Sequence, residues 1–397
     1  MISRLWRFLV PALLLAAAPL ARSASLPPDL ASLLGPRDSL LVTDAAGRRL
    51  ISWNADRPRI PASVLKLLTA HVALTHLGPG YRFTTDFFQD EEGCLYARGH
   101  GDPLLVSEVL ADLARDLAPR LAPVSELVVD GSDFARPLTI PGVSDSANPY
   151  DAPNGALCAN FNTVSVRRCA AGRYVSAEPQ TPLLPFARAL LKQRPPADGR
   201  LVLTHDGGQA ALYAGHLLAH FLAEAGQPVA GTVRRGMVPP EVPPVLVFAS
   251  PFPLAEVVAR MLEHSNNFIA NQLLIAAGAK VHGLPGTLEK GVRLACDHAR
   301  RNLGWENFQL VEGSGIARQN RVTAADLDRL LAAFAPHRHL LPSHGRARYK
   351  TGTLSGIQTR AGYIEGPSGA LYRFVVLINT PGRRADPVLA ALRQRLP

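Results

Sequence analysis

Residues 61–66 read Pro61-Ala62-Ser63-Val64-Leu65-Lys66, and an apolar helical stretch runs on from Val64 to Leu77. A proline just ahead of such a stretch marks a helix start. Ser63 and Lys66 are three residues apart, which puts both side chains on one helix face. A serine hydroxyl is a poor nucleophile until a neighbour takes its proton. An amine does this once burial or a nearby cation drives it toward neutrality. Alone, Ser-x-x-Lys is weak, because a helix-start serine followed by a solvated lysine has the same pattern. The lysine count adds weight. Of the 42 basic residues only five are lysine (Lys66, Lys192, Lys280, Lys290 and Lys350), and only Lys66 has Ser three places before it. Arginine stays protonated in proteins, so a chain built on arginine that keeps a lysine here has kept the cation able to act as a base.

Two later stretches extend the pattern. Lys350-Thr351-Gly352-Thr353 enters a strand-like run. Its lysine supplies charge, its threonine hydroxyls hold a carboxylate, its glycine permits close approach, and its strand edge offers N–H groups to an oxyanion. The competing reading is an edge strand protected by lysine. Ser265-Asn266-Asn267 lies between two helical stretches, where a short turn presents Ser265 and Asn267 inward. Ser52-Trp53-Asn54 and Ser146-Ala147-Asn148 share the Ser-x-Asn form, but one lies on a strand ahead of Ser63 and the other in a Pro/Gly/Ser-rich loop. A plain helix N-cap, which Ser and Asn both favour, is the alternative for this tripeptide.

Around these motifs the chain reads as mixed α/β. The 397 residues are 47% hydrophobic and 19% charged, which supports a packed core and excludes a disordered chain. A hairpin over Ser39–Thr43 and Arg49–Trp53 near one end and strands at 351–355, 361–364 and 371–379 near the other predict one sheet built from both chain ends. Helices at 254–264, 268–277, 288–303 and 324–334 lie between. The Pro-rich stretch 239–244 resembles a domain boundary. The expected division is a catalytic unit from residues 25–80 and 245–397, with inserted accessory structure over 81–244. Arg4 and Arg7 followed by an apolar run to Ala21 read as a secretory signal peptide over 1–24. Export permits disulfides, and Cys158 and Cys169 are the closest pair, with free buried thiols the equal alternative.

The net charge of +10 does not point to nucleic acid, since the arginines are scattered and aromatics are 6%. Attraction to an anionic wall polymer or a membrane surface, as a peripheral association, suits it better. His216, His220 and Glu224 share a helix face, but a solvated polar stripe explains them better than zinc.

In order, Ser-x-x-Lys, Ser-x-Asn and Lys-Thr-Gly form the set of serine β-lactamases and penicillin-binding proteins. The long gap between Ser63 and Ser265 resembles the class C low-molecular-mass penicillin-binding proteins, the D-alanyl-D-alanine carboxypeptidase/endopeptidase family, which carries domains inserted after the nucleophile helix. Gly101-Asp102-Pro103, Asp130 to Phe134, Tyr150 to Val166 with Asn160 and Asn162, and Glu312 to Thr323 resemble further family segments. Glu312 stands where the family has Asp, Ala317 where it has Ser, and the inserted region is short.

The resemblance implies a penicillin-binding transpeptidase-like, serine β-lactamase-like domain, and a serine-type D-Ala-D-Ala carboxypeptidase, with endopeptidase action also open, acting on peptidoglycan stem peptides in the periplasm. It implies Ser63 as nucleophile, Lys66 as general base, Ser265 as proton relay, Asn267 as positioning group and Lys350 as electrostatic group. Thr351, Gly352 and Thr353 would bind substrate. β-Lactams are the expected covalent inhibitors, and no metal or organic cofactor is required. A serine β-lactamase or esterase and a non-catalytic peptidoglycan-binding relative are the alternatives.

Overall fold

The computed structural model describes residues 26–169, 173–193 and 198–396; the expected leader at 1–24 lies outside them. Helix α1 (Pro28–Leu33) leads to strands β1 (Ser39–Thr43) and β2 (Arg49–Trp53), then to helix α2 (Lys66–His76) behind one 3-10 turn, Ala62–Leu65. The inserted part opens with β3 (Thr84–Gln89), β4 (Cys94–Gly99), α3 (Ser107–Leu117) and β5 (Glu126–Asp130). It continues through β6 (Thr163–Arg168), β7 (Tyr174–Ser176), α4 (Pro185–Gln193), β8 (Gly199–Val202), α5 (Gly207–Glu224), β9 (Val233–Arg235) and β10 (Pro244–Ala249). Helices α6 (Leu254–Glu263), α7 (Asn267–His282), α8 (Leu288–Leu303) and α9 (Ala324–Phe334) follow. Strands β11 (Ser343–His344), β12 (Ala347–Leu354), β13 (Ile357–Glu365) and β14 (Leu371–Ile378) precede the closing helix α10 (Ala385–Arg395).

Both chain ends do meet in one antiparallel sheet, ordered β11-β12-β13-β14-β1-β2. Strand periodicity divides its side chains between two cores. Leu40, Val42, Phe374 and Val376 join α1 and α10 on one face. Leu41, Ala361, Val375 and Leu377 face the other way, toward helices α2 and α6 to α9. Each of the Val, Leu and Phe side chains among these, fully buried, contributes about 1.5–3 kcal/mol. Helix α2 is buried at Lys66–Ala70 and Val72–Leu74, as suits a helix enclosed on nearly every side. That central placement puts its first residue, Lys66, inside the protein.

The inserted part has two sheets. The larger, β10-β3-β4-β5-β9, is antiparallel on the β10 side and parallel at β4-β5-β9. Parallel neighbours need crossovers, and α3 and α5 supply them, packing with the sheet into a third core. The smaller sheet is β7-β6-β8. The expected unit boundary at 244/245 falls at the start of β10, which hydrogen-bonds to β3, so residues 244–249 belong to the inserted sheet. A Pro-rich stretch marks a turn in the path of the chain, whereas strand pairing decides which unit owns the next segment. The Cys158–Cys169 staple is not formed: Cys158 is a buried free thiol, 3.1 Å from Gly155 O and 3.0 Å from Asn162 Nδ2. Among the described residues no helix is long and apolar enough to cross a membrane.

Candidate active site

The turn that carries Ser63 is held between two glycines. Ala62, just before Ser63, has a left-handed φ of 48°, a conformation that costs roughly 1–3 kcal/mol outside glycine. Thr359 Oγ1 donates to Pro61 O at 2.7 Å and fixes the turn from β13. From β12, Gly352 packs so closely that a Cβ there would lie 2.2 Å from Thr359 Oγ1 and 2.8 Å from Ser63 N. From the opposite side, a Cβ on Gly315 would lie 2.0 Å from Ala62 O. Any side chain at either glycine would therefore displace Ser63.

Lys66 Nζ meets three oxygens: Ser63 Oγ at 3.0 Å, Asn267 Oδ1 at 2.7 Å and Ser314 O at 2.7 Å. A neutral amine has two N–H donors and one lone pair. Asn267 and Ser314 accept the two donors, which leaves the lone pair for the Ser63 proton. Burial, followed by the charge of Lys350, pulls Lys66 well below the ordinary lysine value, with Glu312 opposing. The α2 N-terminus adds a positive end of its own.

Asn267 reaches Lys66 because its neighbour takes the capping task. Asn266 Oδ1 accepts from Ile269 N at 3.0 Å and caps α7. Ser265, at a φ of 52°, starts the turn, and its hydroxyl takes part in no hydrogen bond with the described residues. The helix-cap reading of this tripeptide was thus right for its middle residue, and the cap releases the other two.

Lys350 is buried at 1% exposure, inside β12 rather than before it. Its Nζ donates to Thr351 O at 2.8 Å. Burial, then Arg360, lowers it to about 8. Thr351 is half-buried and Thr353 exposed. Arg360 itself is paired with Asp386 at 2.9 Å.

One group had no role assigned from sequence. Glu312 is 1% exposed and accepts from Ser314 N and Ser314 Oγ at 2.6 Å and from Gly315 N and Asn320 Nδ2 at 2.7 Å. This knot holds Ser314 O on Lys66 and Gly315 against Ala62. The clue was visible in the Glu-Gly-Ser-Gly run, but a backbone carbonyl as the partner of Lys66 leaves no side-chain signature. The Gly101-Asp102-Pro103 and Tyr150–Val166 segments also have a structural use. Gln272 Nε2 on α7 donates to Gly101 O at 3.1 Å and Gly155 O at 2.6 Å, and Asn154 Nδ2 donates to Phe268 O at 2.9 Å. They tie the inserted part to the helix that begins with Asn267. His216 stacks on Phe186, with ring centroids 4.5 Å apart, and His220 lies 3.2 Å from Glu224.

A three-core α/β scaffold with a serine–lysine pair at the start of its central helix and a lysine-bearing strand beside it defines a penicillin-binding type of serine hydrolase. Residues 28–186 and 201–342 match the D-Ala-D-Ala carboxypeptidase 3 (S13) family, and the chain belongs to it. It is a serine-type D-Ala-D-Ala carboxypeptidase. The D-alanyl-D-alanine carboxypeptidase of Actinomadura sp. (strain R39) is 28% identical, with 98% of this chain and 88% of that protein covered. Penicillin binding protein 4 from Haemophilus influenzae shares the fold with a TM-score of 0.72 at 18% identity, covering 92% of this chain and 97% of that one. The same protein complexed with a β-lactam aligns with a TM-score of 0.68 at 17% identity over the same shares.

Proposed function

We propose that Ser63 is the acylated nucleophile and Lys66 its general base. The single observation that carries this is the Lys66 amine, buried with two N–H acceptors and 3.0 Å from Ser63 Oγ. Ser63 Oγ attacks the carbonyl between the two terminal D-alanines as its proton passes to Lys66. Backbone N–H groups of Ser63 and Thr353 hold the oxyanion, a contribution of about 3 kcal/mol. The C–N bond then breaks, and the proton returns through Ser265 to the leaving D-alanine nitrogen. Asn267 keeps Lys66 aimed, while Lys350, Thr351 and Thr353 hold the terminal carboxylate and Gly352 lets substrate approach. Water releases the shortened peptide.

A β-lactam would acylate the same serine. The site of action is the cell wall, reached by export to the periplasm. Residues 26–82 and 250–396 form the acyl-transfer unit, and 83–249 form the inserted one.

The test uses a fluorescent penicillin and a pentapeptide ending in D-Ala-D-Ala, with Ser63→Ala as control. The expected result is covalent labelling and D-alanine release by the parent protein and neither by the variant. Labelling that persists in Ser63→Ala would remove Ser63 from its role.

A further inference from the structure

We propose that an arginine-lined cavity beside the β12–β13 turn binds a phosphate-bearing anion, at a site separate from the acyl-transfer centre. The cavity measures about 330 Å³, and its walls include Arg37, Arg59, Arg318, Arg321, Gly356 and Asn379. The guanidiniums come from three separate stretches: the turn before β1, the segment between β2 and the nucleophile turn, and the loop after Glu312. No acidic residue lines the cavity.

Among the described residues none of the four pairs with a carboxylate. Arg59 Nε donates to Ser39 Oγ at 3.1 Å and its Nη2 to Pro36 O at 3.2 Å. Arg318 donates to Ser355 O. Arg321 donates to Asn320 O at 2.9 Å and to Arg318 O. Arg37 is exposed, and its guanidinium has no hydrogen-bond partner among these residues. The nearby acid, Asp38, is occupied: its carboxylate accepts from Gly35 N and Thr380 N at 2.7 Å and from Asn379 N at 2.8 Å. Elsewhere the same chain pairs its arginines, as in Arg373–Asp328 at 2.9 Å and Arg98–Asp133 at 2.6 Å.

Neutral partners orient these guanidiniums without cancelling their charge. Burial also weighs against charged Arg59, and Arg57 adds to it while Asp38 opposes. An anion in the cavity relieves both costs. A carboxylate brings one negative charge, whereas a phosphate group brings up to about two, with three oxygens that match guanidinium forks. The volume admits a phosphate with a substituent the size of glycerol or a sugar. The phosphate is either free or the headgroup of a lipid.

Calorimetric titration with glycerol 3-phosphate, inorganic phosphate and acetate tests this on the full chain. The phosphates should bind at least about tenfold more tightly than acetate, and Arg37→Glu should weaken them at least about tenfold, a shift near 1.4 kcal/mol. Arg321→Gln should weaken them too. Penicillin labelling of Arg37→Glu should match the parent, which shows that the fold and the acyl-transfer centre are intact. Pelleting with phosphatidylglycerol vesicles but not phosphatidylcholine ones, lost in Arg37→Glu, assigns the phosphate to a lipid; phosphate binding without pelleting assigns it to a soluble ester. Equal binding by parent and Arg37→Glu overturns the site, as does binding blocked by acylation of Ser63. Because the titration is run on unacylated protein, failure of the acyl-transfer reading leaves its result readable.

Discussion

Two clusters of buried charge, one around Lys66 and Lys350 and one around His100, have opposite outcomes although burial opposes the charge in both. Burial pulls both Lys66 and Lys350 below the ordinary lysine value, and a nearby positive charge adds to it, Lys350 at Lys66 and Arg360 at Lys350. In the inserted unit His100 is also partly buried, with Asp133 Oδ2 2.6 Å from its Nδ1 and Asp86 Oδ2 2.9 Å from its Nε2. Burial opposes its charge, but the bonds to Asp133 and Asp86 outweigh that and push it up to about 9. Arg98 completes the second cluster, bonded to Asp133 at 2.6 Å. The partners decide the direction. Neutral acceptors and like charge make a reactive amine, while paired carboxylates make a fixed cation.

The sharpest break in that comparison is Lys66→Met. It should lower the rate of acylation by about a thousandfold, because general-base assistance is worth roughly that much, while His100 keeps its pairing. Stopped-flow measurement with a reporter β-lactam checks it. Next comes Glu312→Ala. It leaves Ser314 N and Gly315 N buried without acceptors, and should cost about 3 kcal/mol in urea denaturation and slow acylation through the misplaced Ser314 carbonyl.

A smaller, graded effect is expected from pH. In the proposed mechanism Lys66 works neutral and Lys350 charged, so peptide hydrolysis should rise with pH through the lowered Lys66 value and fall above about 8 as Lys350 deprotonates. Lys350→Gln should remove the falling limb. It should also move the rising limb to higher pH, since the Lys350 charge no longer depresses Lys66. A pH–rate profile unchanged in this variant would separate the two lysines.

The least effect on chemistry is expected from His100→Gln. A folded value raised to about 9 stabilises the fold fully below the ordinary histidine value, and that stability is lost as pH rises through about 9. After solvent screening of this partly exposed pair, the variant should lose about 1–2 kcal/mol at the acid end of that window and nothing above it. Denaturation at both ends measures this, and penicillin labelling should not change.

Helix α8 was legible to the residue, 288–303, because its apolar period is long. Strand β12 was placed at 351–355 but starts at Ala347. Tyr349 packs in the α1/α10 core and Lys350 pairs across to Ala361, and neither contact is local. Asn267 was expected beside Lys66 from the family resemblance, but the cap by Asn266 on nearby Ile269 was not separated from it, and the Lys66 contact itself spans 201 positions of sequence. The pairing of β10 with β3 was not legible, because the two strands lie far apart in sequence.

By itself the sequence determined the kinds of group available: one serine three residues before a rare lysine, a Ser-x-Asn turn, and a Lys-Thr-Gly strand, in an order that spacing and residue chemistry make meaningful. Tertiary structure alone decided their state. Whether Lys66 holds a proton depends on how deeply α2 is enclosed, on Ser314 O from a loop that Glu312 ties, and on a second lysine from the far end of the chain. Charge and solvation act through space, and a sequence records only the order of residues along the chain.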